Sequence, residues 1–307
     1  MAKIIHRTGL YLSEGAFSAV RLNLQSGSVD YAAVKNAGES GILSKGVISE
    51  TIKELLSGAG KKKASSYFIS IPSDMAVISS VDLAKGETMT EEMVKWEMEQ
   101  QIMGTISDYY MDFQKMQDDT SGRMSKYIAA AVRKTVAETI IHEASSAGIE
   151  ISLLDIDLFS VQRIAENLKG SPAEFAVALS GLKKTGVAVF KNGSFAGYDI
   201  ITHPEGILEE GLTGEDALNY FGGLGKRIEK SVFSLSSDTK PGKIFLAGPV
   251  YMEPSVADNI IAGLTTEAAV TDPFDNLVPE TGNDDEVRSL KGMLAPAAGL
   301  LLREGEK

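Results

Sequence analysis

Two short turns are where side chains of this 307-residue chain are placed to do chemistry. Residues 9–16 (GLYLSEGA) carry Ser13, Glu14 and Gly15, and residues 179–186 (LSGLKKTG) carry Gly181, Lys183, Lys184 and Thr185. Glycine turns with hydroxyls and lysines are material for a phosphate clamp, because backbone N–H groups in a tight turn converge on an anion. Each turn sits inside a repeated unit of three apolar strands, residues 9–34 and 176–201. Neither first strand ends on an acid that would make the turn chemical.

Other candidates are weaker. Asp155 and Asp157 (LLDIDLF) are placed to position a water, but no metal partner is visible, and strand-end carboxylates before a helix are the simpler reading. Residues 222–226 (GGLGK) imitate a phosphate loop but lack its spacing. Arg227 stands where a hydroxyl is required, and the stretch falls within a helical pattern. His6, His142 and His203 are far apart with no nucleophile and acid beside them. There is no cysteine, which excludes disulfides, thiolate metal sites and cysteine nucleophiles.

The elements that must position the turns follow from periodicity. After the first three strands, helical spacing predicts a helix over 46–57, then a strand closing at Pro72. The second half repeats this order: three strands, helical segments near 206–208 and 215–236, and a strand at 243–248. Between the copies, residues 73–152 read as a β-α-β-β-α insertion. Its first helix covers 90–103, with Thr90 as N-cap and Gly104 as its end; its second covers 136–147. Residues 275–286 are polar and acidic and predict a loop, and a final helix from about Leu294 returns to cap one lobe.

That order, with the late stretch GMLAPAAGLLLRE, resembles the actin-like ATPase superfamily, and within it the PilM family of type IV pilus assembly. The most specific segment is residues 69–116, where Asp112, Phe113 and Gln114 fit a characteristic strand; AGIEISLLDID (147–157) and TDPFDNL (271–277) add to it. The resemblance implies an α/β, actin-like (ribonuclease H-like) duplicated two-lobe fold with an inserted small α+β subdomain. Lobe I would take residues 1–160, including the 73–152 insertion, and be completed by a C-terminal helix at about 288–307. Lobe II would take 161–287.

It also implies where nucleotide would bind. In active relatives an aspartate ends each first strand, and glycine turns grip the phosphates. Here the aligned positions hold Tyr11 and Leu179, a glycine has become Ser13, a second aspartate Gly186, and Glu14 adds a negative charge. Gly181 and Thr185 survive of the pattern; Ser13, Gly15, Lys183 and Lys184 complete the degenerate pocket, the lysines leaving phosphate binding without hydrolysis open, with Gly248 on the adenosine side followed by Pro249, which removes a donor. Loss of both acids with an added carboxylate costs several kcal/mol against a polyanion, on the order of partly buried charge pairs. The expectation is a degenerate pocket, a pseudo-ATPase with ATP and Mg disfavoured and no resident cofactor.

Acidic residues outnumber basic ones 42 to 30, so no basic field exists to displace counterions and nucleic acid is not an expected partner. Lys61, Lys62 and Lys63, the one basic cluster, read as a solvated turn. No signal peptide is expected, and the apolar stretch 293–302 is shorter than the ~20 residues of a spanning helix. On the insertion's first helix Val94, Met98 and Ile102 form one stripe, flanked by Met93, Trp96 and Met103. Packing against the small sheet is the plain reading of that pattern. By resemblance, PilM-like proteins capture the cytoplasmic N-terminal peptide of PilN, an inner-membrane protein, beside this subdomain. Met93, Trp96, Met103, Tyr109 and Phe113 are then the candidate contacts, because methionine and aromatic surfaces adapt to peptides. The expected function is a cytoplasmic scaffold held at the inner membrane through its partner. The alternatives are a nucleotide-binding ATPase regulating pilus assembly, or a self-associating, polymer-forming FtsA-like protein. A further alternative is the cytoplasmic part of a type II secretion protein of similar architecture, which would normally be followed by a spanning segment.

Overall fold

The computed structural model describes residues 5–38, 41–60, 65–86, 88–118, 123–207, 211–236, 240–280 and 284–303. β1 (His6–Leu12), β2 (Ala16–Asn23) and β3 (Ser28–Asn36) form an antiparallel meander. α1 (Val47–Leu56) returns the chain so that β4 (Ser65–Ile71) pairs in parallel with β1. β5 (Ala76–Ala84), α2 (Thr90–Glu99), β6 (Tyr109–Asp118) and β7 (Met124–Arg133) make a separate three-stranded sheet, ordered β5-β7-β6. α3 (Lys134–Ser146) and β8 (Ile151–Ile156) then complete the first sheet, ordered β3-β2-β1-β4-β8.

α4 (Asp157–Asn167) leads into the second repeat. β9 (Glu174–Ser180), β10 (Lys184–Lys191), β11 (Ser194–Thr202), α5 (Glu215–Ser236), β12 (Lys243–Ala247), α6 (Pro254–Ala262) and β13 (Ala268–Val270) build a sheet ordered β11-β10-β9-β12-β13. The two orders are the same, strand for strand. Asn192 and Gly193, both at positive φ (51° and 74°), make the tight β10–β11 turn that an Asn-Gly pair specifies. α7 (Asp284–Ser289) and α8 (Lys291–Gly299) end the chain.

Strand alternation sorts the side chains into layers. Leu10 and Leu12 face α1 and α3, packing with Ile48, Ile52, Leu55, Ile140 and Ala144. Ala176 and Ala178 likewise face α5 and α6, against Phe221, Leu224 and Ile260. Tyr11, Val177 and Leu179 point the other way, into a core shared by both sheets that contains α4 and α8. Each large apolar side chain buried there contributes about 1.5–3 kcal/mol. The tyrosine and leucine at the positions aligned with family aspartates therefore belong to the packing between lobes.

Several expectations change. α3 is not part of the inserted sheet: Ile140 and Ala144 pack with α1, and α6 holds the matching place in the second repeat. α2 stops at Glu99, and its N-cap is Met89, with Thr90 the first helical residue. α8 starts at Lys291 and caps both lobes: Ser18 of β2 donates to the Met293 carbonyl (2.8 Å), and Gly248 N–H donates to the Gly292 carbonyl (2.8 Å). Pro296 explains the second bond, because it has no N–H to return to Gly292 four residues back. The acidic stretch 275–286 is not wholly loop, since Pro279 bridges Val29 and α7 begins at Asp284. Gly206 and Ile207 lie in a turn, not a helix, while Leu208 and Lys61 to Lys63 lie outside the described residues.

Candidate functional site

The two turns meet. The β1–β2 turn of one repeat and the β9–β10 turn of the other face each other across the cleft, with the 3-10 turn Ser73–Met75 beside them. Gly15 has φ +83°, a conformation glycine adopts freely, and Leu182 packs over it so closely that a Cβ there would lie 2.3 Å from Leu182 Cδ1. Lys183 Nζ lies 3.2 Å from Glu14 Oε1, and Lys184 Nζ lies 2.7 Å from Asp74 Oδ2. Both lysines of the second turn, which could attract phosphate, are thus paired with carboxylates of the opposite lobe. Glu14, read from sequence as a repellent for phosphate, is a latch.

The backbone donors are engaged as well. Ser13 N–H and its hydroxyl both donate to the Ala16 carbonyl (3.3 and 2.6 Å). Gly181 N–H donates to the Lys184 carbonyl (2.8 Å), and Gly248 N–H goes to Gly292. Gly248, at φ +111°, abuts the Ser180 carbonyl so closely that a Cβ would lie 2.5 Å from it. The Thr185 hydroxyl is fully buried, 3.0 Å from Ser180 Oγ and 2.9 Å from His203 Nε2. Burial, with the Arg227 charge adding to it, lowers His203 to about 4, so the ring is neutral and its Nδ1–H donates to the Leu182 carbonyl (3.1 Å).

Beneath the latches lies Asp157, which is buried. Its Oδ1 accepts from the N–H groups of Leu158 (2.7 Å) and Ser73 (3.0 Å), and the Tyr11 hydroxyl is 3.4 Å from Oδ2. Burial pushes this carboxyl up to about 8, with the Asp74 charge adding to the rise, so it is largely protonated at neutral pH. Asp155 is held between the guanidinium groups of Arg163 and Arg303. The space left in the cleft is about 50 Å³, room for one or two waters at roughly 30 Å³ each. Small-molecule pockets run to roughly 300–1,000 Å³. Among the described residues no group of three His, Asp or Glu side chains forms a metal site.

A larger opening, about 560 Å³, lies along β6, with Glu91 and Lys95 of α2 and Lys134 of α3 on its walls. Residues 109–113 all line it consecutively, as a groove along a strand edge requires. β6 is the edge of its sheet, paired with β7 alone among the described strands. Tyr109 is buried and bonds through its hydroxyl to the Met103 carbonyl (3.0 Å), so it forms the floor and is not an exposed contact. Phe113 is half-buried against Tyr127. The exposed aromatic is Tyr110, which the sequence reading passed over. Its hydroxyl donates to Glu138 Oε1 (3.2 Å), and Lys134 lies over its ring. Adjacent strand residues face opposite ways, so a Tyr-Tyr pair had to present one ring outward. Met93, Trp96 and Met103 are exposed, and none of them lines the groove.

Two duplicated five-stranded sheets around a shared inner layer define an actin-like fold, and solved structures bear that out. The chain is similar to one described as a PilM-PilN type IV pilus biogenesis complex, with TM-score 0.79, 18% identity, and 98% of this chain and 99% of that chain covered. It is also similar to the ethanolamine utilization protein EutJ from Carboxydothermus hydrogenoformans (TM-score 0.58, 13% identity, 97% and 90% covered). A third is the cytoplasmic domain of EpsL, an inner-membrane component of the type II secretion system of Vibrio cholerae (0.53, 11%, 98% and 97%). No family model matches the sequence, and no curated protein matches it. The resemblance to PilM drawn from sequence motifs thus extends to the fold over nearly the whole chain. No helix among the described residues is long and apolar enough to cross a membrane.

Proposed function

We propose that this protein is a PilM-like scaffold of type IV pilus or related secretion assembly. It binds the cytoplasmic N-terminal peptide of a PilN-like inner-membrane protein, and that partner holds it at the membrane. It does not hydrolyse ATP. The observation that carries this reading is the contrast between the two openings. The cleft is filled by Tyr11 and Leu182 and latched by Lys183–Glu14 and Lys184–Asp74, whereas the groove along β6 is open and ten times larger. An extended peptide added to the free edge of β6 gains main-chain hydrogen bonds, with Tyr110 and Lys134 supplying side-chain recognition.

Fluorescence anisotropy with a labelled cytoplasmic N-terminal peptide of a PilN-like protein tests the reading. Saturable binding that Tyr110→Ala and Lys134→Glu each weaken about tenfold, roughly 1.4 kcal/mol, supports it. A peptide that fails to bind, or binds both variants equally, overturns it. Calorimetry with Mg-ATP is expected to show nothing tighter than about millimolar, ~4 kcal/mol. Micromolar affinity ends the pseudo-ATPase assignment.

A further inference from the structure

α2 carries two apolar stripes where a surface helix needs one. Val94 and Met98 are fully buried against the small sheet. At about 100° per residue Trp96 falls on the opposite side, where an amphipathic helix is polar, and Met93 on the flank beside it. Trp96, the sole tryptophan of the chain, is 55% exposed, and Met103, just beyond the helix, is 78% exposed. Met89, one turn before Met93, extends the stripe and is exposed as well. Met89, Met93 and Trp96 lie at successive turns of the outward side, with Met103 in the turn beyond the helix beside Arg133, and exposed apolar side chains grouped in this way mark an interaction site, to which Trp contributes out of proportion to its area.

Charge identifies the occupant. On the helical wheel Glu92 and Glu99 border the patch on one side and Glu97 on the other, and none of the three makes an ion pair among the described residues. The one lysine of the helix, Lys95, lies toward the groove and is paired with Glu91. An acidic rim excludes an anionic lipid surface. It also opposes a second copy of the same face, which would set carboxylate against carboxylate across the contact.

We infer that the outer face of α2 docks a basic amphipathic helix of a second protein partner, separate from the peptide in the β6 groove. Its apolar side would cover Met89, Met93 and Trp96, and its Lys or Arg flanks would meet Glu92, Glu97 and Glu99. The 10 residues of α2 span about 15 Å at 1.5 Å per residue, which sets the contacting part of the partner helix at roughly three turns. Methionine's flexible thioether lets such a face accept apolar side chains of differing shape.

The probe is a synthetic Leu/Lys amphipathic helix of about 14 residues, added to the full chain and read by Trp96 emission and by anisotropy of the labelled peptide. The expected result is saturable binding with a blue shift of Trp96. Trp96→Ala weakens it tenfold or more, and Glu92→Gln with Glu99→Gln weakens it several-fold and flattens its salt dependence. A scrambled peptide of the same composition does not bind, and Tyr110→Ala, which disables the groove, leaves binding unchanged. The inference is overturned if the scrambled peptide binds equally or if Trp96→Ala has no effect. It is also overturned if anionic vesicles shift Trp96 in place of the peptide, or if the chain self-associates in a Trp96-dependent way.

Discussion

Leu182, from the second lobe, stands over Gly15, from the first, at the spacing where a methyl group on Gly15 would come within 2.3 Å of it. The two residues occupy the turns that face each other across the cleft, so closure of the cleft is a matter of side-chain contact as well as charge. Consequences for stability and ligand binding follow from this contact and its neighbours.

Gly15→Ala puts a side chain into a left-handed conformation, about 1–2 kcal/mol, and into Leu182. Thermal or urea denaturation is expected to show a loss of about 2–3 kcal/mol. Adding Leu182→Ala recovers part of it. If the double variant is no more stable than Gly15→Ala, the contact does not restrain the turns.

Restoring acids is expected to destabilise the fold without restoring a nucleotide site. Tyr11 and Leu179 face the shared core with 1% and 4% exposure, so Tyr11→Asp or Leu179→Asp buries a carboxylate without a partner. Each is expected to cost on the order of 3–5 kcal/mol, seen as a fallen urea midpoint. A folded variant that gains micromolar Mg-ATP affinity would count decisively against a retired pocket.

The latches are exposed and individually weak. Side chains of Lys183 and Lys184 are 63% and 44% accessible, and such pairs contribute about 0–1 kcal/mol each. A double-mutant cycle on Lys184 and Asp74 is expected to give a coupling within that range, reduced by salt. A coupling several times larger would mean that the pair is shielded from solvent.

Asp157 makes stability depend on pH in a particular direction. Its carboxyl is raised to about 8 in the fold by burial, against about 3.9 in an unfolded chain. Between those values the folded state holds a proton the unfolded state has lost, so this group's contribution falls as pH rises from about 4 to about 8. Asp157→Asn keeps the acceptor for Leu158 and Ser73 and lacks the titration. The variant is expected to gain on the natural protein steadily across that window and then level off, measured by urea melts at several pH values. A difference that does not change with pH refutes the buried, protonated acid.

Much of the fold was legible because duplication and strand alternation are local signals. Residues 9–34 and 176–201 declared their meanders through apolar alternation and small-residue turns, and the inner stripe of α2 was readable from Val94 and Met98. Helical spacing does not say which sheet a helix covers, so α3 was assigned to the insertion although Ile140 and Ala144 serve the first lobe. The site was less legible because its decisive contacts are long-range. Lys184 and Asp74 are 110 positions apart, Lys183 and Glu14 are 169 apart, and nothing near either lysine names its partner. Tyr109 and Tyr110 look equivalent in sequence, and only the register against Arg133 and Val132 decides which is floor and which is wall.

α8 has one more consequence. It is bonded to β2 through Ser18 and to Gly248 through the carbonyl that Pro296 leaves free, while Leu294, Ala297 and Ala298 lie in the core between the sheets. A helix held this way is a keystone. Rotating one lobe against the other would strip both bonds and wet that shared layer, in addition to parting the latches. The two lobes are therefore clasped from behind by one helix as well as in front by the facing turns.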